Sequence, residues 1–495
     1  MKTVVDIAKE KLNKALETYN HDADRDLINR ALEFSLHAHR DQMRRSGEPY
    51  IIHPIHVAAY LTSFYMDSQA IAAGLLHDVL EDTEATPEEL TKEFGPVVTQ
   101  LVEGVSKLRK IKFQENTQYV ENLRKFFIAT AEDIRVIMIR LCDRLHNMET
   151  LEYLPAKEQQ RIARETLEIY APIAHRLQIG KLRGQLEDWS FKYLQPEEYR
   201  WLYNVTRKNV DEREATLREA SDRIKLLFKE EEIELVDIQR RIKFIYSLYR
   251  KLQRYGNELS QIFDVVALRV IVPEISDCYA ALGLIHKEFK PLKGRIKDYI
   301  ARPKANGYRS LHTTVHLQDG DTIEIQIRTP GMHEEATYGI AAHWQYKENG
   351  KFPKRQMQIS WVKELANIMR EIHDTSDLEN VKLDLFKHRI FVLTPKNDVI
   401  DLPDGSTPVD FAYNIHTDLG NKLIRAKVNG NIAPLSHKLQ NGDIVEVIID
   451  KKKKGPDIQW LDFAQTALAR SKIKYYNRKK LADWEKNLGD KNYFK

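Results

Sequence analysis

Apolar residues recur at three-and-four spacing through nearly all of residues 1–195, in segments such as Asp26 to Asp41 and Thr117 to Met148. That period lines one stripe of a helix, so an almost wholly helical domain is expected, interrupted at the Gly47-Glu48-Pro49 and Gly95-Pro96 turns. From about 200 to 230 the chain is strongly charged yet keeps helical spacing (RKNVDEREATLREASDRIKLLFKEEE), which reads as a solvated helix or packing strut. Near Ile233 the texture changes. The β-branched runs VVALRVIV (265–272), LHTTVHL (311–317) and DTIEIQI (321–327) alternate with helical stretches such as CYAALGLIHKEF, as in an α/β or α+β domain. From Lys387 onward, turns at Lys396-Asn397-Asp398, Pro403-Asp404-Gly405, Asn429-Gly430 and Asn441-Gly442 separate short strands, with one short helix after Thr407. The expected order is a helical domain (1–195), a helical connector (196–232), an α+β domain (233–350), a linker helix (351–386), a small strand-rich module (387–450) and a basic, aromatic helical tail (451–495).

Composition narrows the classes. A chain of 495 residues is too long for one core, in keeping with several domains. With 42% apolar and 30% charged residues it has the make-up of a soluble globular protein. A net charge of +4 argues against a general nucleic-acid coating protein, whose affinity rests on many phosphate-neutralising cations. Local basic sites for phosphorylated small molecules stay open. The two cysteines, Cys142 and Cys278, exclude a Cys-rich zinc motif and support no disulfide framework, so a cytoplasmic setting is expected. The N-terminus lacks the apolar run of a signal peptide, and no window approaches a membrane span.

Chemistry concentrates in two places. In the helical domain stand His53, the pair His77-Asp78, then Glu81-Asp82, then Asp143 in RLCDRLHNMET. Imidazole and carboxylate ligands suit a divalent cation such as Mn²⁺, Fe²⁺ or Zn²⁺. Positions 77, 78, 81 and 82 are expected close to one side of a single helix. Buried there, four ionisable groups need a metal or mutual hydrogen bonds. A lone histidine such as His37 or His56 is ordinarily structural, and an HD dipeptide alone carries little information. The order H…HD…D, ending on the otherwise apolar helix VIMIRLCDRLHN, is far more specific.

The pattern resembles the HD phosphohydrolase superfamily. More closely, RRSGEPYIIHP, LLHDVLEDT and RLCDRLHNMET look like the hydrolase domain of the RelA/SpoT family. The resemblance implies that His53, His77, Asp78 and Asp143 hold Mn²⁺ and that Glu81 and Asp82 orient or deprotonate the attacking water. It implies that Arg44, Arg45, Asn147 and Thr150 hold the nucleotide. The expected reaction is release of the 3′-pyrophosphate of (p)ppGpp, leaving GDP or GTP. The HD motif is degraded in monofunctional synthetase relatives and intact in this chain.

In the α+β domain Asp264 and Glu324 stand on adjacent alternating strands, a pair of carboxylates able to hold Mg²⁺. Between them KGRIKDYIARPKANGYRSLHTT crowds Arg295, Lys297, Arg302, Lys304, Arg309 and His312 around Gly294 and Gly307, which fits several phosphates. No Walker A sequence is present. The string resembles the RelA/SpoT synthetase signature, as does EIQIRTPGMHEEATYGIAAHWQYK. Family members transfer pyrophosphate from ATP to the 3′-hydroxyl of GDP or GTP. The resemblance implies that Asp264 binds Mg²⁺, with Glu324 as partner or base, and that Tyr308 stacks on guanine. Lys297, Lys304, Asn306 and His312 would position the acceptor, while Arg241, Lys243, Lys251 and Arg269 would meet ATP. The basic sequence Arg295-Ile296-Lys297-Asp298 is the form carried by bifunctional members. One departure stands at RRIKFIYS, where Arg240, Ile242 and Phe244 replace the family's Gly, Pro and His; it puts synthetase efficiency in question.

The strings FVLTPKNDVIDLPDGSTPVDFAYNIHTDLGN and NGDIVEVI resemble the TGS domain, a β-grasp module that in this family touches deacylated tRNA on the ribosome, with His416 at the matching histidine. Alone, His416 reads as a surface turn residue. Residues 456–476 look like the start of the family's next helical domain; the zinc-finger and ACT-like domains that normally follow are not in this sequence. The expected fold class is thus multidomain: an all-α HD-type domain, an α+β nucleotidyltransferase-like domain and a small β-grasp TGS domain. Three activities stay open: a bifunctional alarmone enzyme, a hydrolase-dominant relative with weak synthesis, and a non-catalytic ribosome- or tRNA-binding regulator.

Overall fold

The computed structural model describes residues 3–20, 22–109, 133–254, 265–304, 308–317, 321–339, 389–395, 399–440 and 442–478. Asp264, Asn306 and the linker helix expected within 351–386 lie outside these residues. The described residues fall into two units, one running up to Gly339 and one from Arg389 onward. Among the described residues no helix is long and apolar enough to cross a membrane.

The described residues in the first half of the first unit are mostly helical, as the three-and-four spacing predicts; the part of the segment expected from Thr117 that precedes Asp133 lies outside them. The axis of this half is the helix Ile134–Glu149, capped by Asp133 and buried on nearly every side. A helix buried on nearly every side belongs in the middle of a bundle. Around it pack Ile52–Ser63, Ser68–Leu76 and Pro87–Arg109. The last of these is interrupted at Gly95, whose φ of 81° no β-branched residue adopts easily, so the predicted Gly95-Pro96 break is present.

The charged connector is one 35-residue helix, Pro196–Glu230. Leu217, Ala220, Ile224, Leu227 and Phe228 form a stripe on it that enters the core beneath the sheet. It is a packing strut with one apolar face, not a fully solvated helix.

The sheet has five strands in the order β1-β2-β5-β4-β3: Asp237–Ile242, Val266–Ile271, Thr322–Arg328, Leu311–His316 and Lys297–Asp298. β2 and β5 run parallel; the other neighbours are antiparallel. The apolar runs identify β2, β4 and β5, whereas β1 (DIQRRI) is too polar to be read as a strand. It lies at the edge, where only one side needs partners. Leu268, Val270, Leu311, Ile325 and Ile327 point into the core with Cys278, Ala281 and Ile285 of the helix Ile275–Glu288.

In the second unit, β6 (Arg389–Leu393) and β7 (Val399–Pro403) form a hairpin, and β8 (Leu423–Val428) pairs with β9 (Asn431–Ala433) and β10 (Val445–Ile449). A parallel bridge, Leu393 to Ile444, joins the two ladders. The helix Pro408–Ile415 packs on them, which is the β-grasp arrangement. The tail is not separate from this module. Asp410 is buried and accepts from the Gln465 and Thr466 backbone N–H groups (2.9 and 2.7 Å), while Trp460, Ala464, Ala469 and Ile473 share the core of that helix. The tail beyond 450 thus shares the core of this module.

One joint links the two halves of the first unit. Asp188, on the helix Gly180–Leu194, accepts from the backbone N–H groups of Ile245 (3.1 Å) and Tyr246 (2.8 Å) and so caps the helix Ile245–Arg254. One turn earlier, Gly184 lies against Phe244, and a Cβ there would come 2.2 Å from the ring. Burial pushes the Asp188 carboxyl up to about 6. A folded value above the ordinary carboxyl range gives stabilisation that is greatest at low pH and fades as pH rises through it. Asp188→Ala is expected to lower stability by about 0.5–2 kcal/mol near pH 5 and by less near neutral pH, read from urea unfolding; a larger cost at neutral pH would contradict this account.

Candidate functional site

The helix Ser68–Leu76 stops at His77, and a separate turn, Val79–Asp82, starts after Asp78. The single helix expected across 77–82 is thus broken. The break has a consequence: consecutive residues of a regular helix diverge by about 100°, whereas His77 and Asp78 turn to the same point. His77 Nε2 and Asp78 Oδ2 are 3.2 Å apart. His53 Nε2 lies 3.7 Å from Asp78 Oδ2 and 3.2 Å from Asp143 Oδ1, and His77 Nε2 lies 4.0 Å from Asp143 Oδ1. All four residues are 1–3% exposed.

The donor set fits a divalent cation. His77 Nδ1 bonds the Gly74 carbonyl at 2.8 Å, which fixes the proton there and turns the Nε2 lone pair inward. That Nε2 is buried and makes no hydrogen bond. The two imidazoles and an Asp143 oxygen lie within 4.8 Å of one another, with Asp78 beside both imidazoles, a donor set that a borderline or hard cation takes. Burial also holds the His53 imidazole below its usual range, so it is neutral and able to ligate. Asp143 would be pushed up by burial, but the adjoining Arg140 guanidinium and the two imidazoles hold it well below the carboxylate range. Asn147 Nδ2 donates to its other oxygen at 2.5 Å.

Around this centre, Tyr50 donates its hydroxyl to Asp78 Oδ2 (2.6 Å) and lies 3.0 Å from Asp82 Oδ2. Ser106 donates to Glu81 Oε1 at 2.6 Å. Arg44 is held by the tight turn through Gly47 (Gly47 N to Arg44 O, 2.9 Å) and reaches His146 Nδ1 (2.9 Å) and Asn147 Oδ1 (3.0 Å). Arg44 and Asn147 thus meet, as expected of a shared pocket. Arg45 is exposed on the same turn, and Thr150 ends the helix Ile134–Glu149 with its hydroxyl on the His146 carbonyl. Tyr50, Arg140 and His146 escaped the sequence reading. Their signal was spacing: each lies three residues from a candidate ligand, Tyr50 before His53, Arg140 before and His146 after Asp143.

The sheet gathers the second group. Gln239, Arg269, Gln326, His312 and Lys297 pair directly in a single row across all five strands. Paired residues share a face, so this row and the next one, with Arg241 and Glu324, build one polar surface. Glu324 Oε1 accepts from Gln326 Nε2 (2.7 Å), and His312 Nδ1 is 3.3 Å from the same oxygen. His312 Nε2 then accepts from the Tyr308 hydroxyl at 2.8 Å. Lys304 lies 5.2 Å from the Tyr308 ring centre and Arg328 lies 5.6 Å from it. Burial, with Arg328 and Arg241 nearby, pulls the Arg269 guanidinium down to about 9. Arg269 Nε, Arg328 Nε and His333 Nδ1 are buried without a hydrogen-bond partner, which suits an anion. Gln326, Arg328 and His333 were not foreseen. Lys243 begins the turn before the helix Ile245–Arg254, on which Lys251 lies, and Arg295 follows Gly294 on an exposed loop. His416 is exposed and caps the helix Thr417–Lys422 through Nδ1 (3.2 Å from Asp418 N), a turn residue as its local sequence suggests.

The helical centre and the sheet define an HD-domain protein with a second, sheet-based domain of the RelA/SpoT type. Residues 31–180 match the HD domain, 240–351 the region found in RelA / SpoT proteins, and 390–449 the TGS domain. A Myxococcus xanthus protein named GTP pyrophosphokinase is 43% identical over 98% of this chain and 64% of its own length. An Aquifex aeolicus protein named guanosine-3′,5′-bis(diphosphate) 3′-pyrophosphohydrolase is 46% identical over 95% of this chain and 67% of its own. Among solved structures, the small alarmone synthetase 2 of Bacillus subtilis aligns at 25% identity over 36% of this chain and 97% of that one, with a TM-score of 0.25. The chain belongs to the RelA/SpoT family, and it spans about two thirds of the length of the curated relatives it matches.

Arg140 neutralises a buried carboxylate, and removing one partner of such a pair costs about 3–5 kcal/mol. Arg140→Gln is expected to lower the stability of the metal-free protein by that order in urea at neutral pH. The depressed Asp143 value gives stability that is present above the ordinary carboxyl range and lost below it, so the deficit narrows as pH falls through about 4. A deficit independent of pH would contradict the pairing.

Proposed function

We propose that the protein is a bifunctional alarmone enzyme. It transfers pyrophosphate from ATP to the 3′-hydroxyl of GDP or GTP, and it hydrolyses (p)ppGpp to GDP or GTP and pyrophosphate. The buried convergence of His53, His77, Asp78 and Asp143 is the observation that carries the hydrolytic half. Relatives named for each of the two activities support the pairing.

At the helical centre these four residues would hold Mn²⁺. A bound divalent ion supplies Lewis acidity, which acidifies water and polarises a phosphoryl oxygen. Glu81 and Asp82 orient the attacking water and take its proton, with Tyr50 and Ser106 fixing their carboxylates. Arg44 and Asn147 bind the nucleotide against the centre. The bond between the ribose 3′ oxygen and phosphorus breaks, and the oxygen leaves as the hydroxyl.

On the sheet the 3′-hydroxyl of the acceptor attacks the β-phosphorus of ATP and AMP leaves. Glu324, held by Gln326 and His312, would take the hydroxyl proton, and Glu324 with Asp264 would hold Mg²⁺. Tyr308 stacks on the guanine. Arg241, Lys243, Lys251 and Arg269 neutralise ATP, while Arg295, Lys297, Lys304, Asn306 and His312 position the acceptor. The TGS module, with exposed His416, is a contact for deacylated tRNA and the ribosome. A hydrolase-dominant protein is the second reading, because Phe244 replaces the family's histidine at the donor loop and is engaged by Gly184.

With Mn²⁺ present, ppGpp is expected to yield GDP and pyrophosphate, and Asp78→Ala to abolish the reaction; turnover by that variant would remove the metal assignment. The same variant, given ATP and GDP, is expected to accumulate ppGpp. Adding Glu324→Gln should slow that synthesis by about 10²-fold or more. No product from Asp78→Ala would eliminate the synthetic half and leave the hydrolase.

A further inference from the structure

His146 stands three residues after Asp143 on the same helix and touches two groups that the metal reading uses. Its Nδ1 is 2.8 Å from His53 Nδ1 and 2.9 Å from Arg44 Nη1. The donor inventory settles where the protons are. A guanidinium has only N–H donors, so the His146 Nδ1 that Arg44 reaches is an acceptor and carries no proton. His53 Nδ1 faces that same lone pair. Two imidazole lone pairs cannot confront each other at 2.8 Å, so His53 Nδ1 carries the proton and donates it. A neutral His53 then has its remaining lone pair on Nε2, the atom directed at Asp78 and Asp143.

We propose that His146 is a positioning residue for the metal centre: held as an acceptor by Arg44, it fixes the ring and tautomer of His53 so that Nε2 is the ligand atom. His77 reaches the same end by a simpler route, donating Nδ1–H to the Gly74 carbonyl. The two imidazole ligands are thus aimed by different acceptors, one a backbone carbonyl that cannot change and the other a side chain. Arg44 is also the residue proposed to meet the nucleotide. The Arg44–His146–His53 chain therefore links the nucleotide pocket to the metal through three side chains that are half-buried or buried. Second-sphere partners of metal-bound histidines typically change metal affinity by about 10–100-fold when removed.

The inference rests on the metal assignment above, and the test separates the two. Mn²⁺ affinity of the nucleotide-free full chain is measured by titration calorimetry for the unsubstituted protein, His146→Leu and His146→Asn. Leucine keeps the volume and removes the acceptor; an asparagine amide oxygen stands close to where Nδ1 stood and can still accept from His53. The expected result is about 10–100-fold weaker Mn²⁺ binding for His146→Leu, and affinity within a few-fold of the unsubstituted protein for His146→Asn. A purely space-filling role predicts the opposite order, since leucine is the better filler. Equal affinity for His146→Leu and the unsubstituted protein would overturn the proposal. So would a folded His146→Asn protein, checked by circular dichroism, that binds Mn²⁺ weakly, and this second arm holds even if the leucine variant does not fold. An unsubstituted chain that fails to bind Mn²⁺ would instead remove the metal assignment, and this inference with it.

Discussion

Two carboxylates and two imidazoles, each 1–3% exposed, share one small volume inside a helical bundle. Leaving ionised groups out of water without compensation costs several kcal/mol each, and the surrounding sequence answers that demand residue by residue. Arg140 and Asn147 satisfy Asp143, Tyr50 satisfies Asp78, and Gly74 and His146 take the outer nitrogens of the two histidine ligands. The helix break at His77-Asp78 belongs to the same requirement, because only an interruption lets adjacent residues point to one centre. Among the described residues the inward Nε2 of His77 and the Nε of Arg140 stay without a hydrogen-bond partner, and the His77 nitrogen faces a setting that a cation completes.

The sheet answers a different demand. It offers cations, and among the described residues Arg269 Nε, Arg328 Nε and His333 Nδ1 are buried without a hydrogen-bond partner. A surface of that kind suits a polyphosphate whose charge arrives with the ligand. The two sites are therefore electrostatic opposites: one a negative pocket that calls for a metal, the other a positive surface that calls for nucleotides. They also share structure. The helix Gly180–Leu194 contributes Asp188 as the cap of the helix carrying Lys251, and contributes Gly184 as the seat of Phe244. A change in the loop that carries Phe244 is thus felt directly by this helix.

Much of this was legible in the sequence. The three-and-four spacing gave the helical bundle and its Gly95 interruption, and alternating runs gave β2, β4 and β5. The four candidate ligands stand out because histidine and aspartate are rare in apolar helices. Other features were hidden for physical reasons. β1 is an edge strand and carries no apolar alternation. The break after Leu76 leaves no proline or glycine to mark it. His146 and Tyr50 look like ordinary polar residues until the fold brings them to the ligands, and Gln326 and Arg328 gain meaning only from the strand register. The tail after 450 reads as a separate helix because its tie to the TGS module, the buried Asp410 with Thr466 and a shared apolar core, joins residues distant in sequence.

The claim on which the account depends is that His53, His77, Asp78 and Asp143 form one metal centre. Anomalous diffraction at the manganese edge, from crystals of the nucleotide-free chain equilibrated with Mn²⁺, tests it most directly. The account predicts a strong peak bonded to Nε2 of both histidines and to both aspartates. Absence of density there, a peak elsewhere in the helical domain, or coordination through His53 Nδ1 would contradict it.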